Sequence, residues 1–228
     1  MRRFLVSLPL IAAVAFIASL EVRAPARLQA AATVQAPYNS NYTYFDLGSV
    51  PGLPASYGGL TILPSNTNKL LIGGTANNVN GRIYSIDLVR DSNGHITGFS
   101  GTASLYSWGA YNDGTVMFGP GGVLFVTEYN VNRLGQIKPG VPNTAAYDKD
   151  VNLTTAGVAS SVGSMNIVPA GFPGAGSTKI WSYSSGGWYN ATLTPDGSGT
   201  YDVTGVTLRA TSDVGPEGFI FIPPGSPI

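Results

Sequence analysis

Gly59-Leu-Thr-Ile-Leu-Pro64, Gly114-Thr-Val-Met-Phe-Gly-Pro120, Gly163-Ser-Met-Asn-Ile-Val-Pro169 and Gly218-Phe-Ile-Phe-Ile-Pro223 are four copies of one phrase, an apolar run that opens on glycine and closes on proline. They recur at intervals of about fifty residues, the spacing of radial β-sheet repeats. A unit of this size cannot bury its own apolar face, so each copy must stack on its neighbours. The repeat therefore speaks to architecture before it speaks to chemistry.

Each phrase is followed by further short apolar runs with turn residues between them, as in an antiparallel meander. The first repeat reads as Gly59–Pro64, Lys69–Gly73, Gly81–Leu88 and Ile96–Leu105. The second reads as Thr115–Phe118, Gly122–Thr127, Leu134–Lys138 and a poorer run near Asp150–Thr155; the third as Ser164–Val168, Lys179–Tyr183, Trp188–Thr194 and Tyr201–Arg209. Asp91-Ser-Asn-Gly-His95 separates the last two runs of the first repeat, its Asn93-Gly94 pair being a hairpin signal with positive φ expected at both positions, and Pro195-Asp-Gly-Ser-Gly199 takes the same place in the third repeat. Four strands per repeat make a propeller blade. The expectation is an all-β propeller of about three blades, near 57–111, 112–160 and 161–215, with the start of a fourth at 216–228. A β-sandwich is the alternative, but a sandwich gives no reason for one phrase to recur at a fixed period. Beyond residue 33 no window keeps a helical apolar spacing, and 30 Gly, 16 Pro and 12 Tyr suit many short strands better than a bundle.

Met1-Arg-Arg-Phe4 followed by the apolar run Leu5–Leu20 reads as a secretory signal over 1–24, with cleavage somewhere from Ala24 to Ala32 and a disordered leader over 25–42. Ser7 and Pro9 break the run, so a membrane span is not expected after cleavage. Losing residues 1–24 removes Arg2, Arg3, Arg23 and Glu21 and leaves the chain slightly acidic, which excludes a basic field for nucleic acid. The chain has no cysteine, so an exported protein here relies on a packed repeat core rather than disulfides. A bacterial periplasm or exterior fits. Because closed rings take about four to eight blades, residues 43–228 are expected to form an incomplete propeller with an uncovered blade face, hence oligomers or aggregates.

Val126-Thr-Glu-Tyr-Asn-Val-Asn-Arg-Leu134 resembles the repeat of NHL-type propellers, with Val79-Asn-Gly-Arg-Ile83 as a looser copy; the third repeat has Gly186-Gly-Trp-Tyr189 and no Arg there. Gly215-Pro-Glu-Gly-Phe-Ile-Phe-Ile-Pro-Pro-Gly-Ser-Pro227 is similar to strand openings of exported bacterial propellers. Related six-bladed folds are gluconolactonase-like and streptogramin lyase-like. The resemblance implies the scaffold, and one propeller scaffold hosts many activities.

With one histidine, His95, in a turn, and no cysteine, the common triads and multi-histidine zinc sites are out of reach. The positions before the four opening glycines are Gly58, Asp113, Val162 and Glu217, and inner strands line a propeller's channel, so these four should ring one mouth. Asp113 and Glu217 there, with Asn112 and Asn166 nearby, are candidate oxygen ligands for calcium, as the gluconolactonase-like resemblance implies. The plain alternative is that both carboxylates accept backbone amides at turns. Glu128 is expected to pair with Arg133 across its turn. Trp188, Tyr189 and Tyr111 are candidates for a sugar-stacking face. The reading is a secreted binding module for a glycan, peptide or partner protein; the alternative is a calcium-assisted lactonase or lyase at the channel.

Overall fold

The computed structural model describes residues 32–213, 215–223 and 225–226; the signal segment 1–24 and the leader's residues 25–31 lie outside the described residues. The chain divides into units 1–44 and 45–228. Of the first, the described part contains one 3-10 turn, Tyr38–Ser40.

From Phe45 onward the fold is all-β: three four-stranded antiparallel sheets. The first holds β1 (Leu60–Ile62), β2 (Lys69–Gly74), β3 (Arg82–Arg90) and β4 (Ile96–Trp108). The second holds β5 (Val116–Phe118), β6 (Leu124–Glu128), β7 (Arg133–Ile137) and β8 (Lys149–Asn152). The third holds β9 (Val162–Ile167), β10 (Thr178–Ser182), β11 (Gly187–Pro195) and β12 (Tyr201–Thr211). Every strand pairs with its successor in the same sheet. Greek-key crossings, which a sandwich needs, are absent among the described residues.

Three local expectations are corrected. The fourth run of the second repeat stops at Asn152, whose side chain accepts a hydrogen bond from Thr155 N (3.0 Å) and so caps a short helix, α1 (Leu153–Ala156). At the first hairpin only Gly94 takes positive φ (+86°). The turn spans Asp91–His95 as expected, and Asp91 holds it by accepting from the amides of Asn93 and His95, both at 2.9 Å. Asp196 does the same for Ser198 and Thr200 in the third sheet. Finally, Gly218–Pro223 forms no strand, since no neighbouring strand among the described residues supplies the partner that β2, β6 and β10 give to β1, β5 and β9.

The opening glycines explain themselves in the packing. A Cβ at Gly59 would meet Gly114 O, one at Gly114 would meet Gly163 O, and one at Gly163 would meet Pro216 O, each closer than 3.0 Å. Successive phrases also hydrogen-bond. Met165 N donates to Thr115 Oγ1 (2.9 Å) and Asn166 Nδ2 donates to Phe219 O (3.3 Å), while Gly59 N donates to the carbonyl of Asn112, two residues before the second phrase (2.9 Å). The fourth phrase thus takes the next place in the row, although it is not a strand.

Face packing follows strand alternation. Leu124 and Val126 join Leu71 and Ile83 of the first sheet in one apolar cluster. Phe125, between them in β6, points the other way and joins Val162, Met165 and Ile180 of the third. The second sheet is covered on both faces, so β6 is buried at every position, its apolar Leu124–Val126 and its polar Thr127 and Glu128 alike. The first sheet's other face, with Leu70, Ile72 and Ile86, is covered by Val50 and Leu53.

Candidate functional site

Asp113 and Glu217 line one cavity of about 170 Å³, together with Asn77, Tyr129, Gly163 and Tyr183. The other two positions of the expected ring do not take part. Val162 is fully buried in the core, because β9 already begins there, and Gly58 is packed against the Asn112 side chain.

Backbone geometry aims the lining. Asn77 sits in the left-handed region (φ 58°), two residues after Thr75, which is also left-handed (φ 55°). This is costly for a β-branched side chain. It brings the Asn77 amide to donate to Asp113 Oδ2, tying the β2–β3 loop to the entry of β5. Tyr129 starts the 3-10 turn between β6 and β7. Buried Asn132 (φ 51°) ends that turn, donating to Thr154 Oγ1 (2.8 Å) and Val158 O (3.1 Å) and accepting from Val162 N (2.8 Å). Tyr183 directly follows β10, and its amide donates to Ser161 O (2.7 Å). The two tyrosine rings stand at 89° with centroids 5.3 Å apart. Gly215 lies against the Tyr183 ring, where a Cβ would clash. Asn77 and Tyr129 escaped the sequence reading. The signal that finds them is positional: each lies in the loop between a repeat's second and third strands, the equivalent of Tyr183's place.

Several expected site residues lie elsewhere. Asn112 is fully buried and donates to Gly109 O (2.5 Å) and Gly74 O (3.3 Å). Asn166 is engaged with Phe219 O and Ile167 N. It lines a larger cleft, of about 520 Å³, bounded by all four phrases, including Leu60, Met117, Met165 and Phe219. Glu217 lines both cleft and cavity. Trp188 and Tyr189 are neighbours in β11 and so point to opposite faces. Tyr189 is buried in the core, accepting from Ala159 N (3.2 Å), whereas Trp188 packs on Trp181 (5.0 Å) and Phe219 (4.8 Å). Tyr111 is half-buried at φ 55°, its amide donating to Asn78 O (3.0 Å). These three do not build one stacking face. His95 is exposed in its turn, 3.2 Å from Asp91.

Glu128 lies opposite Arg133 in register, but Arg133 takes Asp150 as its ion-pair partner, Nε to Oδ2 at 2.7 Å. Glu128 is only 3% exposed. Burial pushes its carboxyl up to about 9, the nearby Asp150 charge and a hydrogen bond with Asp150 adding to this and Arg133 opposing it. Tyr147, whose hydroxyl donates to Ala110 O (2.8 Å), is likewise pushed well up, by burial first and then by Glu128 and Asp150.

Among the described residues no three His, Cys, Asp or Glu side chains gather so as to hold a metal ion. Fold and cavity together define an all-β repeat protein with a small, carboxylate- and tyrosine-lined pocket. No protein family and no curated protein matches the chain.

Proposed function

We propose that the three sheets are successive blades of an NHL-type β-propeller and that the chain is an exported, secreted or periplasmic binding module for a glycan, peptide or partner protein. The supporting observation is convergence: Asn77, Asp113, Tyr129, Tyr183 and Glu217, from loops of all three repeats and from the residue before the fourth phrase, meet at one cavity that shares Glu217 with the larger cleft. Two carboxylates from distant parts of the chain line one cavity with no cationic side chain among its described lining residues, and a bound group would use them. The test is a thermal-shift screen of oligosaccharides and short peptides against wild-type chain and a D113N/E217Q variant. A ligand that raises the wild-type Tm but not the variant's supports the reading; ligands that shift both equally speak against this cavity.

The second reading, a calcium-assisted lactonase or lyase, draws support from the same two carboxylates sharing a cavity. Neither Asn112 nor Asn166 lines this cavity, so calcium would take its remaining oxygens from Asn77, backbone carbonyls and water. Calcium raising the wild-type Tm and not that of D113N/E217Q would favour it.

A further inference from the structure

The cavity's lining is selective in kind. Among the described residues neither Asp113 nor Glu217 has an ion-pair partner. An anion is therefore disfavoured there, and both carboxylates line a space whose described lining includes no cationic side chain, Asp113 accepting from the neutral Asn77 amide. Tyr129 and Tyr183, their planes at 89°, form two walls meeting at an edge rather than one flat platform. A pyranose face asks for a flat ring. Perpendicular aromatic walls beside carboxylates suit a diffuse positive charge, because each ring's face is electron-rich and a soft organic cation is cheaply desolvated. A hard cation fits less well, for it asks for six to eight oxygens and Asp113 Oδ2 already accepts from Asn77. At about 170 Å³ the space is below that of drug-sized sites, roughly 300–1,000 Å³, and holds a headgroup. The adjoining cleft, with Leu60, Met117, Phe118 and Ile220, offers room for an apolar stem.

From this geometry we propose that the cavity binds an organic ammonium group, its positive head between the tyrosines and the two carboxylates. The inference rests on the reading of the chain as a binding module and names its ligand class. Such a head comes from a free quaternary amine or from a lysyl side chain of a peptide.

The test is calorimetric titration of the full chain with three probes: choline, its uncharged isostere 3,3-dimethyl-1-butanol, and a trimethyllysine-containing tripeptide. Choline or the tripeptide should bind, and the uncharged isostere at least tenfold more weakly. The better of the two cations identifies the source. E217Q, on an exposed segment whose loss of charge leaves the sheets intact, should weaken binding about tenfold; Y129F, which keeps the ring, should bind as wild type, and Y129L should not. Equal binding of the uncharged isostere, undiminished binding to E217Q, or no binding of either cation overturns the organic-cation inference. The oligosaccharide and peptide screen stands apart from these outcomes, so a hit there with no cation binding would leave the binding module intact and remove only its ligand class.

Discussion

At Gly114 a single missing atom lets two repeats meet. Its φ of +148° is poorly tolerated by residues with a side chain, and a Cβ would press on the Gly163 carbonyl and Thr127 Oγ1. Gly114→Ala is expected to lower stability by about 2–3 kcal/mol, combining overpacking and backbone strain. Its urea midpoint checks this; a midpoint equal to wild type would mean that the phrases are not in contact there. Glu128 gives a pH prediction. A carboxyl raised from 4.5 to about 9 holds its proton more tightly folded than unfolded, so the contribution of Glu128 to stability is fully present below about pH 4.5 and is lost as the pH rises toward 9. The slope approaches about 1.4 kcal/mol per pH unit within that window. Glu128→Gln, neutral throughout, should flatten the decline, as urea unfolding at pH 5, 7 and 9 would register; a parallel decline in the variant would assign it to other groups.

Between elements, the second and third sheets are joined by more than apolar contact. Gln136 of β7 is fully buried, and its amide behaves as one more strand: Nε2 donates to Tyr201 O (2.7 Å) and Oε1 accepts from Tyr201 N (2.9 Å). Lys149 of β8 adds an ion pair to Asp196 Oδ2 (2.7 Å) and a second to Asp202, both in the β11–β12 hairpin. Hydrogen bonds from Lys149 and Thr200 hold the Asp196 carboxyl below its usual range. Gln136→Leu keeps the volume but strands both Tyr201 backbone groups, an expected loss of about 2–3 kcal/mol. A double-mutant cycle with a β12 substitution beside Tyr201 should show coupling, and additivity would place the effect within the second sheet alone.

For the unit from Phe45 onward, the stacking order predicts a gradient of protection. The second sheet is covered on both faces, while β4 and β12 are outer strands, exposed along much of their length. Native-state hydrogen exchange should find the amides of Leu124–Val126 slowest and those near Ser100 and Thr207 fastest; the reverse order would contradict the packing. All three meanders were legible in the residues, because each depends on local matters: runs of apolar residues, turn glycines, and a phrase whose glycine must recur wherever backbones touch. The fixed offset from that glycine picks out four positions, of which Asp113 and Glu217 line one cavity while Gly58 and Val162 do not. The companions of those two carboxylates were not legible. Asn77 reaches Asp113 through a left-handed backbone, Tyr129 meets Tyr183 across two sheets, and Trp188 and Tyr189 part company because neighbouring strand residues face opposite ways. The sequence by itself determined the repeated four-stranded meander. Only the tertiary structure decided which side chains from different repeats share a cavity, since that depends on loop conformation and sheet-on-sheet placement, which a pattern within one repeat does not encode.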